Sequence, residues 1–144
     1  MEESTLQEQI MALVRAFGLH KPDETPCGQP ITVAEAYALT EIAREGQLLQ
    51  NDLVQRLNLA KSSVSRLVEK LVERGWIVRE RSPDDGRAWL LALTEAGESV
   101  AASLAQTREA KFLQVLNHIP PTERESVQQA LDILIQAMRE ASEQ

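Results

Sequence analysis

A chain of 144 residues, 43% hydrophobic and 26% charged, is long enough to bury a core of its own and has the make-up of an ordinary soluble domain. One cysteine excludes an intramolecular disulfide framework, two distant histidines give no zinc-site spacing, and the acidic start Met1-Glu2-Glu3-Ser4 with no bilayer-length apolar run suits a cytoplasmic protein without metal or cofactor. The net charge of −7 argues against a uniformly basic nucleic-acid binder, yet residues 47–93 hold eight Lys or Arg against six Asp or Glu, leaving seven against sixteen elsewhere.

Leu6, Ile10, Leu13, Val14 and Phe17 line one face of a first helix, which Gly18 can end. From His20 to Pro30 the chain has three prolines and a glycine but no apolar period, so it reads as an irregular connection that contains Cys27. Thr32-Val33-Ala34-Glu35 has capping-box spacing and starts a second helix that runs to near Gly46. Gln50 to Leu57 reads as a short helix with Leu53, Val54 and Leu57 inward, followed by a turn at Asn58-Leu59-Ala60. The next helix runs from about Lys61 to Arg74, and two helices joined this tightly make a helix-turn-helix. In it Val64, Leu67, Val68, Leu71 and Val72 form an apolar stripe, while Ser62, Ser63, Ser65, Arg66, Lys70 and Arg74 lie off the stripe.

Gly75 stops that helix. Trp76–Arg81 and Ala88–Leu93 then read as the strands of a hairpin around Ser82-Pro83-Asp84-Asp85-Gly86-Arg87. Thr94 caps a long helix through about His118, Pro120-Pro121 break it, and Thr122-Glu123-Arg124-Glu125 offers a second capping box. The last helix carries the stripe Val127, Leu131, Leu134, Ile135 and Met138. The expected fold class is mainly α with a small β-hairpin wing, that is, a winged helix-turn-helix with flanking helices.

The second helix of such a motif enters the major groove with its N-terminal end, where Lys61, Ser62, Ser63, Ser65 and Arg66 stand here, with Lys70 further along the polar face. The positive end of the helix dipole and its free N–H groups suit a phosphate at Ser62 or Ser63, and Arg66 suits a guanine edge. At the hairpin tip, Arg87 beside Gly86 fits a narrow minor groove, and Arg79 and Arg81 fit phosphates alongside. Asp85 is both a turn former and a group able to orient a neighbouring arginine. Taken singly, the basic helix face is a solvated surface and Asp84-Asp85-Gly86 a plain turn; their order in the chain is what joins them.

From about Thr32 to Gly97 the sequence resembles the MarR family of bacterial regulators, above all in LNLAKSSVSRLVEKLVERGWIVRERSPDDGRAWLLALTEAG. The family's recognition-helix pattern S-x-V-S-R-L-V-x-x-L-x-x-x-G falls on Ser62 to Gly75. Its Asp-Arg-Arg wing falls on Asp85-Gly86-Arg87 and its helix start L-T-x-x-G on Leu93-Thr94-Glu95-Ala96-Gly97. Gly86 stands where many members carry the first wing arginine, which leaves the minor-groove role to Arg87. The resemblance implies a winged helix-turn-helix domain over residues 30–97 and a helical dimerisation region over residues 1–29 and 98–144. It also implies a homodimer on a pseudo-palindromic double-stranded DNA operator, with recognition helices about 34 Å apart. Such a protein is expected to be a repressor released by a small aromatic acid.

In the family's peroxide-sensing branch the release comes from thiol oxidation at a cysteine of the first helix. Cys27 lies instead in the following loop, with Asp23 and Glu24 as near neighbours, and reads as a passive thiol. His20, Trp76 and Trp89 are weak candidates for lining an effector pocket, since each Trp can simply pack the wing. The alternatives to a DNA-binding regulator are a winged helix that binds a protein partner and a thiol-based sensor working through Cys27. An enzyme finds no support: there is no Gly-rich phosphate loop, no paired nucleophile and base, and no converging carboxylates.

Overall fold

In a computed structural model, residues 2–143 are described. The helices are α1 (Glu3–Phe17), α2 (Val33–Glu45), α3 (Gln50–Leu57), α4 (Lys61–Glu73), α5 (Glu95–Asn117) and α6 (Arg124–Ser142), and the strands β1 (Gln47–Leu49), β2 (Ile77–Arg81) and β3 (Trp89–Leu93). They fall into two compact units, residues 1–107 and residues 108–144. The mainly helical fold with a small antiparallel wing agrees with the sequence.

The core of the first unit gathers one face from each element. Ala38, Leu39 and Ile42 of α2 meet Leu53 of α3, Val64, Val68 and Leu71 of α4, Leu48, Ile77 and Leu91 of the strands, and Leu104 of α5. Each fully buried Leu, Ile or Val contributes about 1.5–3 kcal/mol, so this cluster fixes how α4 lies against the rest of the unit. The start of α2 is held as its sequence requires: Glu35 N–H donates to Thr32 Oγ1 and Thr32 N–H to Glu35 Oε1, each at 3.1 Å.

The wing is a three-stranded sheet in the order β1-β3-β2, not a lone hairpin. Strand β1, absent from the sequence reading, is three residues long and shows no alternation; Leu48, opposite Leu91, fixes its register by entering the core. The connection before α2 is also more ordered than its composition implies. Thr25 and Gln29 close a turn through Thr25 N–H to Gln29 O at 3.0 Å and Gln29 N–H to Thr25 Oγ1 at 3.1 Å. The Gln29 amide then donates to Thr107 Oγ1 of α5 at 3.0 Å.

In the second unit the expected capping box at Thr122 does not form. Pro121–Glu123 make a turn of 3₁₀ helix, and α6 begins at Arg124 behind Glu123 with no side-chain cap. Proline at the first position of that turn lacks an N–H, and Glu123 N–H reaches Pro120 O at 2.8 Å, which takes the residues a box would have used. Neither α1 nor α6 has a buried residue, and Leu13, Leu113 and Ile133 are 51%, 56% and 71% exposed.

The end of α4 is a Schellman motif, with Gly75 at φ +78° and hydrogen bonds from Trp76 N–H to Leu71 O and from Gly75 N–H to Val72 O. Thr94 then ties this turn to α5: its hydroxyl donates to Gly75 O at 2.6 Å and accepts from Gly97 N–H at 3.0 Å, and its N–H donates to Trp76 O at 3.0 Å. At Gly97 a Cβ would fall on the Trp76 carbonyl oxygen and 2.8 Å from the carbonyl carbon, both backbone atoms that cannot swing aside. Gly97→Ala should therefore cost about 3 kcal/mol in urea unfolding, at the upper end for overpacking. A loss below about 1 kcal/mol would mean that the joint yields.

Candidate nucleic-acid interface

Burial of Val64, Val68 and Leu71 turns the opposite side of α4 outward, so Lys61, Ser62 and Arg66 are exposed and Ser63 and Ser65 half-buried. Ala60 occupies the N-cap and supplies no side-chain acceptor. The first N–H groups of α4 are thus left to water or to an anion, beside a lysine and two serines.

The other end of α4 is held differently. Lys70 and Arg74 stand beside Glu35, whose side chain is 1% exposed, with Arg74 Nε 3.2 Å from Oε2 and Lys70 Nζ 3.8 Å from Oε1. The Arg74 contact is a charge contact and not an aligned hydrogen bond, since no donor reaches Oε2 in bonding geometry. Arg74 also lies over the Trp76 ring, 4.8 Å from its centroid. Lys70, read from the sequence with the groove-facing group, is therefore drawn towards α2 while half its side chain stays in water. The helix-turn-helix has a second brace: Arg56 of α3 reaches Glu45 at 3.0 Å and Glu41 at 3.1 Å on α2. Glu45, then Glu41, raise the Arg56 pKa above its ordinary value, so this cation is matched within the fold.

Along β2 the alternation of a strand puts Ile77, Arg79 and Arg81 on one face and Val78 and Glu80 on the other. Ile77 is buried, Arg79 half-buried and Arg81 exposed, so the face runs from core to solvent. Trp89 lies opposite Arg81 in the register, with Arg81 Cζ 3.7 Å and Arg79 Cζ 4.9 Å from its ring centroid.

Between the strands the tip closes on itself. Ser82 N–H donates to Ala88 O at 2.9 Å, Ala88 N–H to Asp85 O at 3.0 Å and Asp84 N–H to Ser82 Oγ at 3.3 Å. The Asp85 carboxylate accepts from the Arg87 backbone N–H at 3.0 Å, and an Arg81 guanidinium N–H donates to Arg87 O at 3.1 Å. Asp85 thus orients Arg87 through its main chain and not through its guanidinium. The stretch from Pro83 to Arg87 is exposed. Gly86 is not among the glycines at positive φ, and nothing lies within 4 Å of where its Cβ would be, so a side chain fits there.

Elsewhere in the first unit, a cleft of about 370 Å³ is lined by Ile31, Trp76, Val100 and Leu104, with Gln29, Arg74, Ser99 and Ser103 as polar groups. Cys27 is a half-buried free thiol, and Lys21, the cation nearest to it in sequence, is engaged by Glu24 at 3.0 Å. Among the described residues no three His, Cys, Asp or Glu side chains are grouped to hold a metal, and no helix is long and apolar enough to cross a membrane.

A family model described as the MarR family matches residues 29–88. An uncharacterized HTH-type transcriptional regulator of Mycobacterium leprae is 24% identical over 138 residues, 96% of this chain and 93% of that protein. Among solved structures, Streptococcus pneumoniae FabT in complex with DNA superposes with a TM-score of 0.78 at 16% identity, covering 97% of this chain and 99% of its own. Escherichia coli MarR complexed with operator DNA gives 0.73 at 21% identity, covering 92% and 94%.

Reasoning from sequence did not find the tie of Lys70 and Arg74 to Glu35 or the stack of two arginines on Trp89. The signal for the second was present, since Arg79 and Arg81 are two apart and a hairpin closing near Ser82 brings Trp89 opposite Arg81. Glu35 caps α2 and faces two cations of α4, so Glu35→Ala is expected to lower stability by about 1–2 kcal/mol in urea unfolding. An unchanged midpoint would show that α4 does not depend on that carboxylate.

Proposed function

We propose that the chain, whose residues 29–88 match a model described as the MarR family, is a winged helix-turn-helix regulator of that family and a homodimeric repressor acting on double-stranded DNA. The observation that carries this reading is the pairing of two basic elements on one core. One is an α4 start with no side-chain cap, bearing Lys61, Ser62, Ser63, Ser65 and Arg66. The other is a wing whose tip is fixed by its own hydrogen bonds and carries Arg87. The α4 start reads base edges and phosphates in the major groove; Arg87 enters the adjacent minor groove, with Arg79 and Arg81 on the backbone. Lys70 adds positive charge without reaching the base edges. A cytoplasmic location follows from this role.

The winged domain spans residues 30–97, and residues 1–29 and 98–144 form the dimerisation region. The exposed apolar side chains of α1, the end of α5 and α6 support it, because helices that bury nothing of their own need a partner surface. Two-fold pairing sets the two α4 helices about 34 Å apart on a pseudo-palindromic operator. The effector is a small aromatic acid. The cleft beside Arg74 and Trp76 supports this choice, since its walls are mostly apolar and it carries one cation, Arg74, whose charge a ligand carboxylate would share with Glu35.

Size-exclusion chromatography with light scattering should give twice the 16.1 kDa protomer mass at micromolar concentration. Fluorescence anisotropy with DNA from upstream of the protein's own gene and a scrambled control should then give preferential binding that weakens as salt rises. Arg87→Ala should weaken it about 10- to 100-fold, as for loss of a groove contact. Gly86→Arg, which the open tip accommodates, should steepen the salt dependence by about one phosphate equivalent. A monomer would remove the operator model. A dimer that binds no DNA at low salt would point to a protein partner.

A further inference from the structure

We propose that Trp89 is a positioning residue for the DNA contact, whose indole holds the guanidiniums of Arg81 and Arg79 in place along the wing before DNA arrives. The inference rests on the DNA-binding reading above and adds a residue that makes no groove contact of its own. Three observations carry it.

First, the stack is built on rigid structure. Trp89 is half-buried and continues the face of Leu91, which is fully buried, so the ring is anchored at the rim of the core. Arg81 is its direct cross-strand partner and Arg79 a diagonal neighbour, at 3.7 and 4.9 Å from guanidinium carbon to ring centroid.

Secondly, the two arginines keep their charge. Among the described residues neither Arg79 nor Arg81 lies within salt-bridge distance of a carboxylate, whereas Arg56 is matched by Glu41 and Glu45 and Arg74 by Glu35. A carboxylate partner would have to be displaced by a phosphate. An indole face need not be, because a cation–π contact neutralises no charge and uses no N–H donor.

Thirdly, the stack is linked to the tip. Arg81 spends one N–H on the Arg87 carbonyl oxygen at 3.1 Å, so one side chain joins the ring, the strand and the residue assigned to the minor groove. Long arginine side chains lose rotamer freedom when they bind; a pair already ordered on a ring loses less, and that difference appears as affinity.

Trp89 could instead serve only to hold the hairpin together, and a coupling measurement separates the two roles. The probe is a labelled duplex of about 30 base pairs of random sequence at low salt, because phosphate contacts are independent of sequence. With the full-length chain, Trp89→Leu should weaken binding about tenfold, and Trp89→Phe, which keeps a ring face, should lose no more than about threefold. In a background carrying Arg79→Gln and Arg81→Gln, Trp89→Leu should change affinity by less than about twofold, since nothing remains to be positioned. Equal losses in both backgrounds, or no loss in the native one, would overturn the proposal. If Trp89→Leu melts out by circular dichroism, Trp89→Phe carries the same comparison: a loss in the native background that disappears with the arginines supports the proposal, and one that persists overturns it. A wild-type dimer that binds no duplex overturns the DNA-binding reading together with the proposal; binding that every Trp89 variant leaves intact overturns the proposal alone.

Discussion

Where α5 leaves the sheet, its backbone lies so close to the Trp76 carbonyl that position 97 has no room for a side chain. Thr94 closes the same joint with three hydrogen bonds, to Gly75 O, Trp76 O and Gly97 N–H. Four elements meet there: the end of α4, the start of β2, the end of β3 and the start of α5. Because α4 and the wing leave one point in fixed directions, the exposed start of α4 and the wing tip are built on one common joint. The L-T-x-x-G pattern is the sequence record of this contact, with Thr as cap and donor and Gly as the residue that admits a carbonyl.

Against a net charge of −7, the molecule sorts its cations by what holds them. Arg56, Lys70 and Arg74 face carboxylates and brace α2 against α3 and α4. Arg79 and Arg81 rest on an aromatic ring, while the exposed Lys61 and Arg66 project from α4 and Arg87 from the wing tip. Residue counting sees only a local excess of two positive charges over residues 47–93. Charge already paired within the fold attracts a polyanion weakly, while charge stacked on an indole or bare in water attracts it fully. The second group is what a phosphate backbone would meet.

Much of the architecture was legible because it follows local rules. Helical apolar stripes gave α1, α3, α4 and α6, the Thr32 and Thr94 caps gave the starts of α2 and α5, and Gly75 gave one helix end. Strand β1 was not legible: three residues show no period, and only the distant Leu91 fixes the place of Leu48. The box expected at Thr122 was overridden by its neighbour, since Pro121 commits the chain to a 3₁₀ turn first. The turn at Thr25–Gln29 was hidden by composition, because its partner Thr107 is 78 positions away from Gln29. At the site, side-chain identity was readable and side-chain partnership was not; Glu35 could be read as a cap but not as the counter-ion of α4.

The uncapped start of α4 has a further thermodynamic consequence. An alanine at the N-cap forgoes about 1 kcal/mol that a serine or aspartate would have supplied. Those amides are available in the folded chain and have no counterpart in the unfolded one, so an anion resting on them is linked to folding itself. A polyanion bound at that end would act as the missing part of the helix's own first turn.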